Sequence, residues 1–392
     1  MTASASRMLP PRVMTIYGVV SAVMFSACSS APTPLYHFYQ QDFGLSPVVV
    51  TIIFASYAFS LLAALLTAGA LSDYIGRRPV ILAAIIINAI AMVLFIAAHS
   101  AAMLIAARVV QGFAIGIATT TLGAAILDTD RARGPLLNSI TAFLGLAIGS
   151  LGAGFLIAYA PYPAELVYVV LLILTAIAGL FLIAMPETTP GHSGAWASLR
   201  PHVAIPRQAR AAFIRITPVN IAAWALGGFY LSLMPSLVRT ATGLTSPLVG
   251  ASVVSTLMFT AVATVIVLRD LNAADSLMAG TSALALGVLV TLAGVWLHFV
   301  GLLFVGTFIA GVGFGAAFAG VLRTILPLAG ADQRAGLLST FYVESYLAFS
   351  LPAIAAGIAA PALGLAATIY IYGGVVVVLA VISLAATRSS PA

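Results

Sequence analysis

Long apolar stretches separated by short polar segments make up almost the whole chain. A helix of about 20 apolar residues crosses a bilayer, and in lipid only a helix or a closed barrel satisfies its own backbone polar groups. The alternating ten-residue segments typical of a membrane barrel are missing from the sequence. The pattern therefore predicts an all-α membrane protein with 12 transmembrane helices.

The apolar stretches fall into two groups of six. The predicted spans are residues 13–33, 48–70, 80–98, 102–125, 136–159, 165–185, 213–236, 248–268, 276–297, 301–323, 336–358 and 364–386. The first six lie in residues 1–185 and the last six in residues 213–392. The polar stretch between them, 186–212, is rich in Pro and Gly and is predicted to be a cytoplasmic linker.

The two groups repeat one another in sequence. The letters GLSP at 44–47 precede span 2, and GLTSP at 243–247 precedes span 8. Gly112 and Gly116 of span 4 correspond in the same way to Gly311 and Gly315 of span 10. Internal duplication is common in secondary transporters, which bind substrate between the repeats. We therefore expect two pseudo-symmetric six-helix bundles.

The first span also has features of a cleaved export signal. The segment MFSACSSAPTPLY at 24–36 follows two arginines and an apolar run, and it contains the only cysteine, Cys28. However, Pro34 precedes Pro47 much as Pro235 precedes Pro247, so span 1 has a counterpart in span 7. We therefore expect this segment to be retained as span 1.

Composition supports a lipid environment and excludes several functions. The chain is 62% hydrophobic and 7% charged, whereas soluble domains carry about 25% charged residues. It contains no lysine, so it has no Walker A loop for ATP. One cysteine allows no internal disulfide, and the five histidines do not pair at metal-ligand spacing. We find no nucleophile–base set, and we expect no enzymatic activity, no metal and no cofactor.

The arginines predict the orientation in the membrane. With the N-terminus inside, the cytoplasmic side carries fourteen of the sixteen: Arg7, Arg12, Arg77, Arg78, Arg131, Arg133, Arg200, Arg207, Arg210, Arg215, Arg269, Arg323, Arg334 and Arg388. Arg239 alone lies outside, and Arg108 lies within a span. This bias follows the positive-inside rule and predicts a multi-pass inner-membrane protein with both termini in the cytoplasm. It also explains the net charge of +6 without a nucleic-acid partner.

A charged loop between spans 2 and 3, GALSDYIGRRPV at 69–80, is the strongest local motif. Asp73 is placed to cap the start of span 3, and Gly76 allows a tight turn. This stretch resembles the signature loop of the major facilitator superfamily. The matching positions are Gly69, Leu71, Asp73, Gly76, Arg77, Arg78 and Pro79, while Tyr74 departs from the usual basic residue.

The resemblance extends over the whole chain and implies a gating role for this loop. In similar proteins the aspartate pairs with a loop arginine and with an acid at the end of span 4. Arg77 and Asp128 fit those positions here, with Asp130 as the alternate acid. The network would latch the cytoplasmic side in the outward-facing state. The alternative is a helix cap beside arginines that only set the topology.

Two charged residues lie inside predicted spans. Arg108 begins an Arg-x-x-Gln-Gly pattern with Gln111 and Gly112, which resembles the family's proton-coupling motif in span 4. Glu344 is the only carboxylate near the middle of a span. Charges at such depths are functional candidates by default. The alternatives are an arginine that snorkels to the headgroups and an interface acid bonded to Ser345, Tyr342 or a span-2 residue.

Several weaker candidates lie in spans expected to face a central cavity or to form a family motif. The substrate-binding candidates are Tyr17, Ser26, Ser29, Gln111, Thr119, Asn220, Trp224 and Tyr230, each of which is also a plausible packing residue. The glycines of GLAIGSLGAG at 145–154 resemble the motif of the family's exporters, with Gly145, Gly149 and Gly154 in place. A packing face of small residues is the alternative.

Together these features predict a secondary active transporter that works by alternating access. We expect proton-coupled efflux of a small, mostly hydrophobic organic compound, with Glu344 as proton carrier and Arg108 as its electrostatic modulator. The expected partners are this substrate, protons and the lipid bilayer, and we expect a monomer. Proton-coupled import of a small metabolite and a non-transporting membrane sensor remain as alternatives.

Overall fold

The computed structural model of the chain describes residues 10–330 and 333–388, and the regular elements in these ranges are helices joined by loops and a longer linker. The first half contains α1 (Pro11–Ser30), α2 (Tyr36–Asp42), α3 (Pro47–Ala68), α4 (Leu71–Ile75), α5 (Arg77–Ile96), α6 (Ala101–Thr129), α7 (Gly134–Tyr159) and α8 (Pro163–Leu182). After the short α9 (Ala195–Ser198), the second half contains α10 (Arg210–Ser232), α11 (Met234–Thr242), α12 (Pro247–Val267), α13 (Ala273–Trp296), α14 (Val300–Ile325), α15 (Arg334–Leu363) and α16 (Leu365–Arg388).

Within the described ranges, twelve helices are long and apolar enough to cross a membrane. They match the twelve predicted spans, but spans 1 and 7 end earlier than expected. The chain leaves α1 at Ser30 and α10 at Ser232, and short separate helices, α2 and α11, follow. Pro34 and Pro235 lie at these breaks, where a proline interferes with the helix that precedes it.

The six long helices of each half pack in the same arrangement, so the structure is two six-helix bundles. In the first bundle α6 packs against α3 and α5, and in the second the corresponding α14 packs against α12 and α13. The repeated glycines explain this similarity. A Cβ at Gly112 or Gly116 would collide with α3, and a Cβ at Gly311 or Gly315 would collide with α12. Small residues at these crossings let the helix backbones approach closely.

The ends of the helices define two faces. We call the face that carries α4, α9 and residues 183–206 the linker face, and the face that carries α2 and α11 the far face. Because the number of membrane-spanning helices is even, the chain returns to the face from which it started. The beginning of α1 at Pro11 and the end of α16 at Arg388 therefore both lie at the linker face.

One contact between the bundles runs along α7 and α12. The Ser255 hydroxyl donates a hydrogen bond of 2.8 Å to the Ala147 carbonyl near the middle of these helices. Closer to the far face, Gly154 lies directly against Ala251. The small side chains allow the two helices to meet over the far half of their length.

A second contact runs along α3 and α15. The Phe54 and Phe349 rings lie 4.9 Å apart between centroids, and Gly357 packs against Thr51 nearer the far face. The Thr33 hydroxyl, which follows α1, also donates a hydrogen bond to the Leu231 carbonyl of α10. These contacts lie between the far face and the middle of the helices, so this conformer is closed at its far face.

Two helices of the second bundle continue through internal prolines. Pro218 lies inside α10, and Pro352 and Pro361 lie inside α15. Proline supplies no backbone N–H, so the carbonyl one turn earlier loses its helical donor. These two helices pack against each other, and their contact includes Glu344.

The contact at Gly154 predicts how the far face can be forced open. Gly154→Val places a branched side chain against Ala251, whereas Gly152→Val on the same helix enters open space. We expect Gly154→Val to increase maleimide labelling of a Thr51→Cys reporter, because Thr51 is fully buried at the second contact. Gly152→Val should leave the labelling rate near that of the parent. Equal rates in the two variants would contradict this account of far-face closure.

Candidate functional site

Arg77 is the centre of a charged cluster on the linker face. Its Nη1 contacts the Asp73 carboxylate and donates to Ser72 Oγ at 2.7 Å. Its Nε donates to Asp128 Oδ2 at 3.0 Å. The Arg77 side chain is only 8% exposed, so water screens these bonds weakly. The predicted contact of Arg77 with Asp73 and Asp128 is present.

The start of α5 is capped by a linker residue, and the prediction that Asp73 caps it is wrong. Gly76 precedes α5 with φ of 98°, a conformation that favours glycine. The Glu187 carboxylate then accepts hydrogen bonds from the backbone N–H groups of Arg77 at 2.7 Å and Arg78 at 3.0 Å. An anion suits this position because backbone donors and the positive end of the helix dipole meet there. Asp73 is occupied by Arg77 instead.

The linker holds this cluster to the first bundle and contacts the second bundle further along. The Thr188 hydroxyl donates to Asp128 Oδ2 at 2.9 Å. Beyond α9, the Ala204 N–H donates to the Gly336 carbonyl at the start of α15, and Gln208 contacts Gln333. The bonds of Arg77 therefore stay within the first bundle, and the predicted latch between bundles remains a prediction.

Arg108 is enclosed within the first bundle rather than extended to the membrane surface. It is 1% exposed, so the snorkelling alternative is wrong. Its Nη1 donates to the Ser29 carbonyl at 3.0 Å and to Gln111 Oε1 at 2.6 Å. Its guanidinium also stacks 4.3 Å from the centre of the Tyr57 ring, a favourable cation–π geometry.

The bonds of Arg108 join three helices. Gln111 of α6 donates in turn to the Cys28 carbonyl of α1 at 2.8 Å, while Tyr57 belongs to α3. Arg108 Nε has no hydrogen-bond partner among the described residues. The three ion pairs found in those ranges join Arg77 to Asp73, Arg77 to Asp128, and Arg269 to Asp270, so none involves Arg108.

Glu344 lies where α15 crosses α10 in the second bundle. Its Oε2 accepts from the Thr217 hydroxyl and its Oε1 from the Asn220 amide, each at 2.9 Å. The side chain is half-buried, and none of the ion pairs above includes it. Both partners belong to span 7, whereas the alternative considered from the sequence was a bond to Ser345, Tyr342 or a residue of span 2. Among the described residues, Glu344 is thus an acid held by neutral hydrogen-bond donors alone.

The structure does not bring Arg108 and Glu344 together. Arg108 is the eighth residue of α6 from the far face, and Glu344 is the eleventh residue of α15 from the linker face. At 1.5 Å per residue they lie about 10 Å and about 15 Å inside opposite ends of their helices. They also belong to different bundles, so their direct electrostatic interaction is weak.

Most of the weaker candidates make packing contacts inside one bundle. The Tyr17 hydroxyl donates to the Ala178 carbonyl, and the Tyr230 hydroxyl bonds to Thr307. The Ser29 and Thr119 hydroxyls donate to carbonyls of their own helices, and Ser26 packs against Gly145. The Gln111 amide donates to the Cys28 carbonyl, and the Asn220 amide donates to the Glu344 carboxylate.

Trp224 differs from these residues because it belongs to an aromatic cluster beside Glu344. Its ring contacts Tyr346 at 5.1 Å, Phe349 at 6.0 Å and Phe341 at 6.3 Å between centroids. Trp224 and Tyr346 are only partly buried. Since Trp224 follows Asn220 by one helical turn, the cluster continues the surface on which Glu344 is held.

The three glycines of the exporter-like motif have separate packing roles. Gly145 and Gly149 let α7 approach α1, where added Cβ atoms would collide with Ser26 and with the Ala27 backbone. Gly154 instead faces the second bundle. These contacts agree with the packing alternative, and a specific link to export remains a prediction.

Glu187, Thr217 and Tyr57 are site residues that the sequence analysis did not identify. Glu187 lies in the polar linker, where one acid among turn residues carries no periodic signal. Thr217 and Tyr57 resemble ordinary helix residues, and their partners are distant in the chain. A Pro-Glu-Thr sequence directly after a long apolar span, at 186–188, was the only local signal available.

Comparison with known proteins identifies the family. The sequence profile of the Major Facilitator Superfamily matches residues 18–273, which is more than half of the chain. The protein belongs to this superfamily. It is therefore a membrane transporter and not an enzyme, as the composition and the signature loop predicted.

The similar curated proteins match only part of this chain. A multidrug resistance protein, MdtL, from Klebsiella pneumoniae is 29% identical over 169 residues, covering 39% of this chain and 42% of MdtL. An uncharacterized transporter from Rickettsia felis is 28% identical over 186 residues, covering 46% and 44%. The chain thus matches less than half the length of these relatives.

Solved structures share the complete fold. The human organic anion transporter MFSD10 (TETRAN) superposes with a TM-score of 0.69 at 18% identity, covering 96% of this chain and 100% of that one. The nucleoside transporter NupG gives a TM-score of 0.73 at 14% identity, covering 95% and 99%. At such identities the likeness establishes the fold alone.

The cap on α5 generates a stability prediction. Glu187→Gln removes the charge that accepts the backbone N–H groups of Arg77 and Arg78, so we expect a loss of about 1–2 kcal/mol of unfolding free energy. Glu165→Gln is the matched control, since Glu165 lies in the first turn of α8 but caps no backbone group there. Thermal unfolding in detergent measures both variants. A Glu187→Gln protein as stable as the control would show that the cap contributes little.

Proposed function

We propose that this transporter exports a small, mostly hydrophobic organic compound from the cytoplasm, driven by protons that enter in exchange. The observation that carries the proposal is Glu344, a half-buried carboxylate about 15 Å inside a membrane-spanning helix, bonded to Thr217 and Asn220 and to no cation within residues 10–330 and 333–388. An intramembrane acid without a fixed counter-ion is suited to proton exchange, because its charge can change as its exposure changes.

The hydrogen bonds around Glu344 are compatible with both of its protonation states. The charged form accepts from the Thr217 hydroxyl and from the Asn220 amide. A hydroxyl can also accept, and the Thr217 oxygen lies 3.1 Å from the Phe213 carbonyl. A protonated Glu344 can therefore donate to Thr217 while Thr217 donates to Phe213. Neither state leaves a buried polar group unsatisfied, so the proton can bind and leave at moderate cost.

The surroundings of Glu344 favour an apolar, aromatic substrate. Trp224, Tyr346 and Phe349 form one aromatic surface next to the acid, and pockets of this kind bind organic molecules through large apolar contacts. The name of the partial relative MdtL supports drug efflux in the same general sense. Of the residues predicted to bind substrate, Trp224 and Asn220 are those closest to the proposed proton site.

Exchange requires the two bundles to open alternately at each face. In this conformer they touch along the far half and at the Phe143–Phe318 ring pair just on the linker side of the middle, so we assign it to a state that is closed at the far face. We propose that the bundles, residues 1–185 and 213–392, move about the linker at 186–212 as a monomer in the inner membrane. The arginine bias supports a cytoplasmic linker face and cytoplasmic termini. The Asp73–Arg77–Asp128 cluster would then hold the loop between α3 and α5, whose contacts with the second bundle would change during this movement.

Arg108 has a different role in this proposal from the one expected from sequence. Its distance from Glu344 makes direct modulation weak, whereas its bonds hold α1, α3 and α6 together. We propose that Arg108 fixes the far-face half of the first bundle, against which the second bundle closes.

The substrate and the direction of transport can be tested together. Expression in a pump-deficient bacterial host, followed by growth on a panel of toxic compounds, identifies compounds that are exported. Inverted vesicles with an acidic lumen then test the coupling, because antiport accumulates the identified compound inside. Accumulation driven by the opposite gradient would indicate proton-coupled import.

Glu344→Gln provides the residue-level prediction. Glutamine keeps the size and one acceptor but cannot exchange a proton, so we expect proton-driven uptake into inverted vesicles to fall at least tenfold. Binding of the identified compound should change less than about threefold, because ligand contacts here are mainly apolar. Glu165→Gln is the control and should transport normally. Wild-type transport by Glu344→Gln would remove Glu344 from the mechanism.

A further inference from the structure

A cavity of about 460 Å³ lies at the far face between the two bundles. The first bundle contributes His37 and Gln40 from α2, and the second contributes Ser236, Arg239 and Thr240 from α11. The short helices α2 and α11 occupy corresponding positions in the repeat, so the cavity lies where the repeated halves meet. Such a cavity exists in this form only while the far face is closed.

The polar lining of the cavity carries positive charge that nothing in the described residues balances. Arg239 is the one arginine that the topology places on the far face, and its guanidinium makes no hydrogen bond or ion pair within residues 10–330 and 333–388. His37 Nε2 is buried and has no partner within these residues. The described residues that line the cavity include no acid. A cation, an imidazole, an amide and two hydroxyls form a set of donors suited to an anion.

We propose that this cavity binds a small oxyanion or carboxylate that bridges His37 of one bundle and Arg239 of the other. The bound anion holds the far face closed, because it is attracted to both bundles at once. Its effect is a shift of the conformational equilibrium toward the state in which both groups face it. This inference does not depend on which compound the protein transports or on the role of Glu344.

The site also makes far-face closure sensitive to pH. Burial and the nearby Arg239 together lower the pKa of His37 below its ordinary value. The residues that α15 and α16 contribute to the cavity lining are Ala360, Pro361 and Leu365, which are apolar, and Arg239 is the charged group that acts on His37. Without an anion, acidification places two cations opposite each other, and closure weakens as pH falls below about 6.5.

A bound anion reverses this dependence. It favours the protonated imidazole, so binding takes up a proton and the affinity rises as pH falls. Sulfate is a suitable probe because it keeps both charges across this range. Its binding should therefore report the protonation of His37 and not that of the probe.

The first test measures sulfate binding to the full chain, purified in maltoside detergent without added phospholipid. Sulfate should raise the unfolding temperature more than chloride at equal ionic strength, and more at about pH 5 than at about pH 7.5. Arg239→Gln should weaken sulfate binding by at least about tenfold, and Arg239→Lys should weaken it less. His37→Gln should remove the pH dependence. Arg200→Gln, an exposed linker variant, should bind as the parent does.

The second test measures the movement. Spin labels at Gln41→Cys on α2 and Leu244→Cys after α11 report the far-face distance, since both positions are exposed while Cys28 is fully buried. Sulfate should shorten this distance in the parent and leave it unchanged in Arg239→Gln. The proposal is overturned by equal sulfate effects in the parent and Arg239→Gln, or by no preference for sulfate over chloride. It is also overturned if phosphatidylglycerol replaces sulfate as the stabilising ligand, which would indicate a lipid headgroup.

Discussion

The structure depends on close backbone contact at a few helix crossings. Between helices that share a lipid solvent there is no hydrophobic driving force to bring them together, so packing and small residues must do so. Gly112 and Gly116 place α6 on α3, and Gly311 and Gly315 repeat the arrangement for α14 on α12. Each bundle is therefore a firm unit, while the bundles meet each other through fewer contacts, mainly toward one face. This difference allows the bundles to move as bodies.

The polar groups also differ between the interior of each bundle and the boundary between the bundles. The strongest charge cluster, around Arg77, joins a loop, the end of α6 and the linker, all on one side of the first bundle. Arg108 is buried deeper and binds carbonyl, amide and aromatic groups of its own bundle. Glu344 and Arg239 differ from these groups because neither forms an ion pair within residues 10–330 and 333–388. The described ion pairs of the first bundle thus lie at its linker face, whereas Arg108 inside it is held by neutral groups.

The sequence predicted the parts of this structure that depend on local pattern. Twelve apolar spans, the repeat and the Arg77 contacts with Asp73 and Asp128 follow from length, periodicity and a recognisable loop. The cap on α5 was assigned to Asp73, whereas Glu187, more than a hundred residues later, provides it. The partners of Glu344 were equally out of reach, because Thr217 and Asn220 come from another helix. Long-range pairs of this kind leave no spacing that a single sequence can reveal.

Pro218 has a mechanical consequence for the helix that holds Glu344. It lies between Thr217 and Asn220, so the carbonyl of Ile214 has no amide donor one turn later. Bending α10 at this level is opposed by one backbone hydrogen bond fewer than elsewhere in a regular helix. The turn that holds the carboxylate therefore contains the proline of this helix. We expect a change of charge on Glu344 to alter the bend of α10 at Pro218, which would couple protonation of one side chain to the shape of the second bundle.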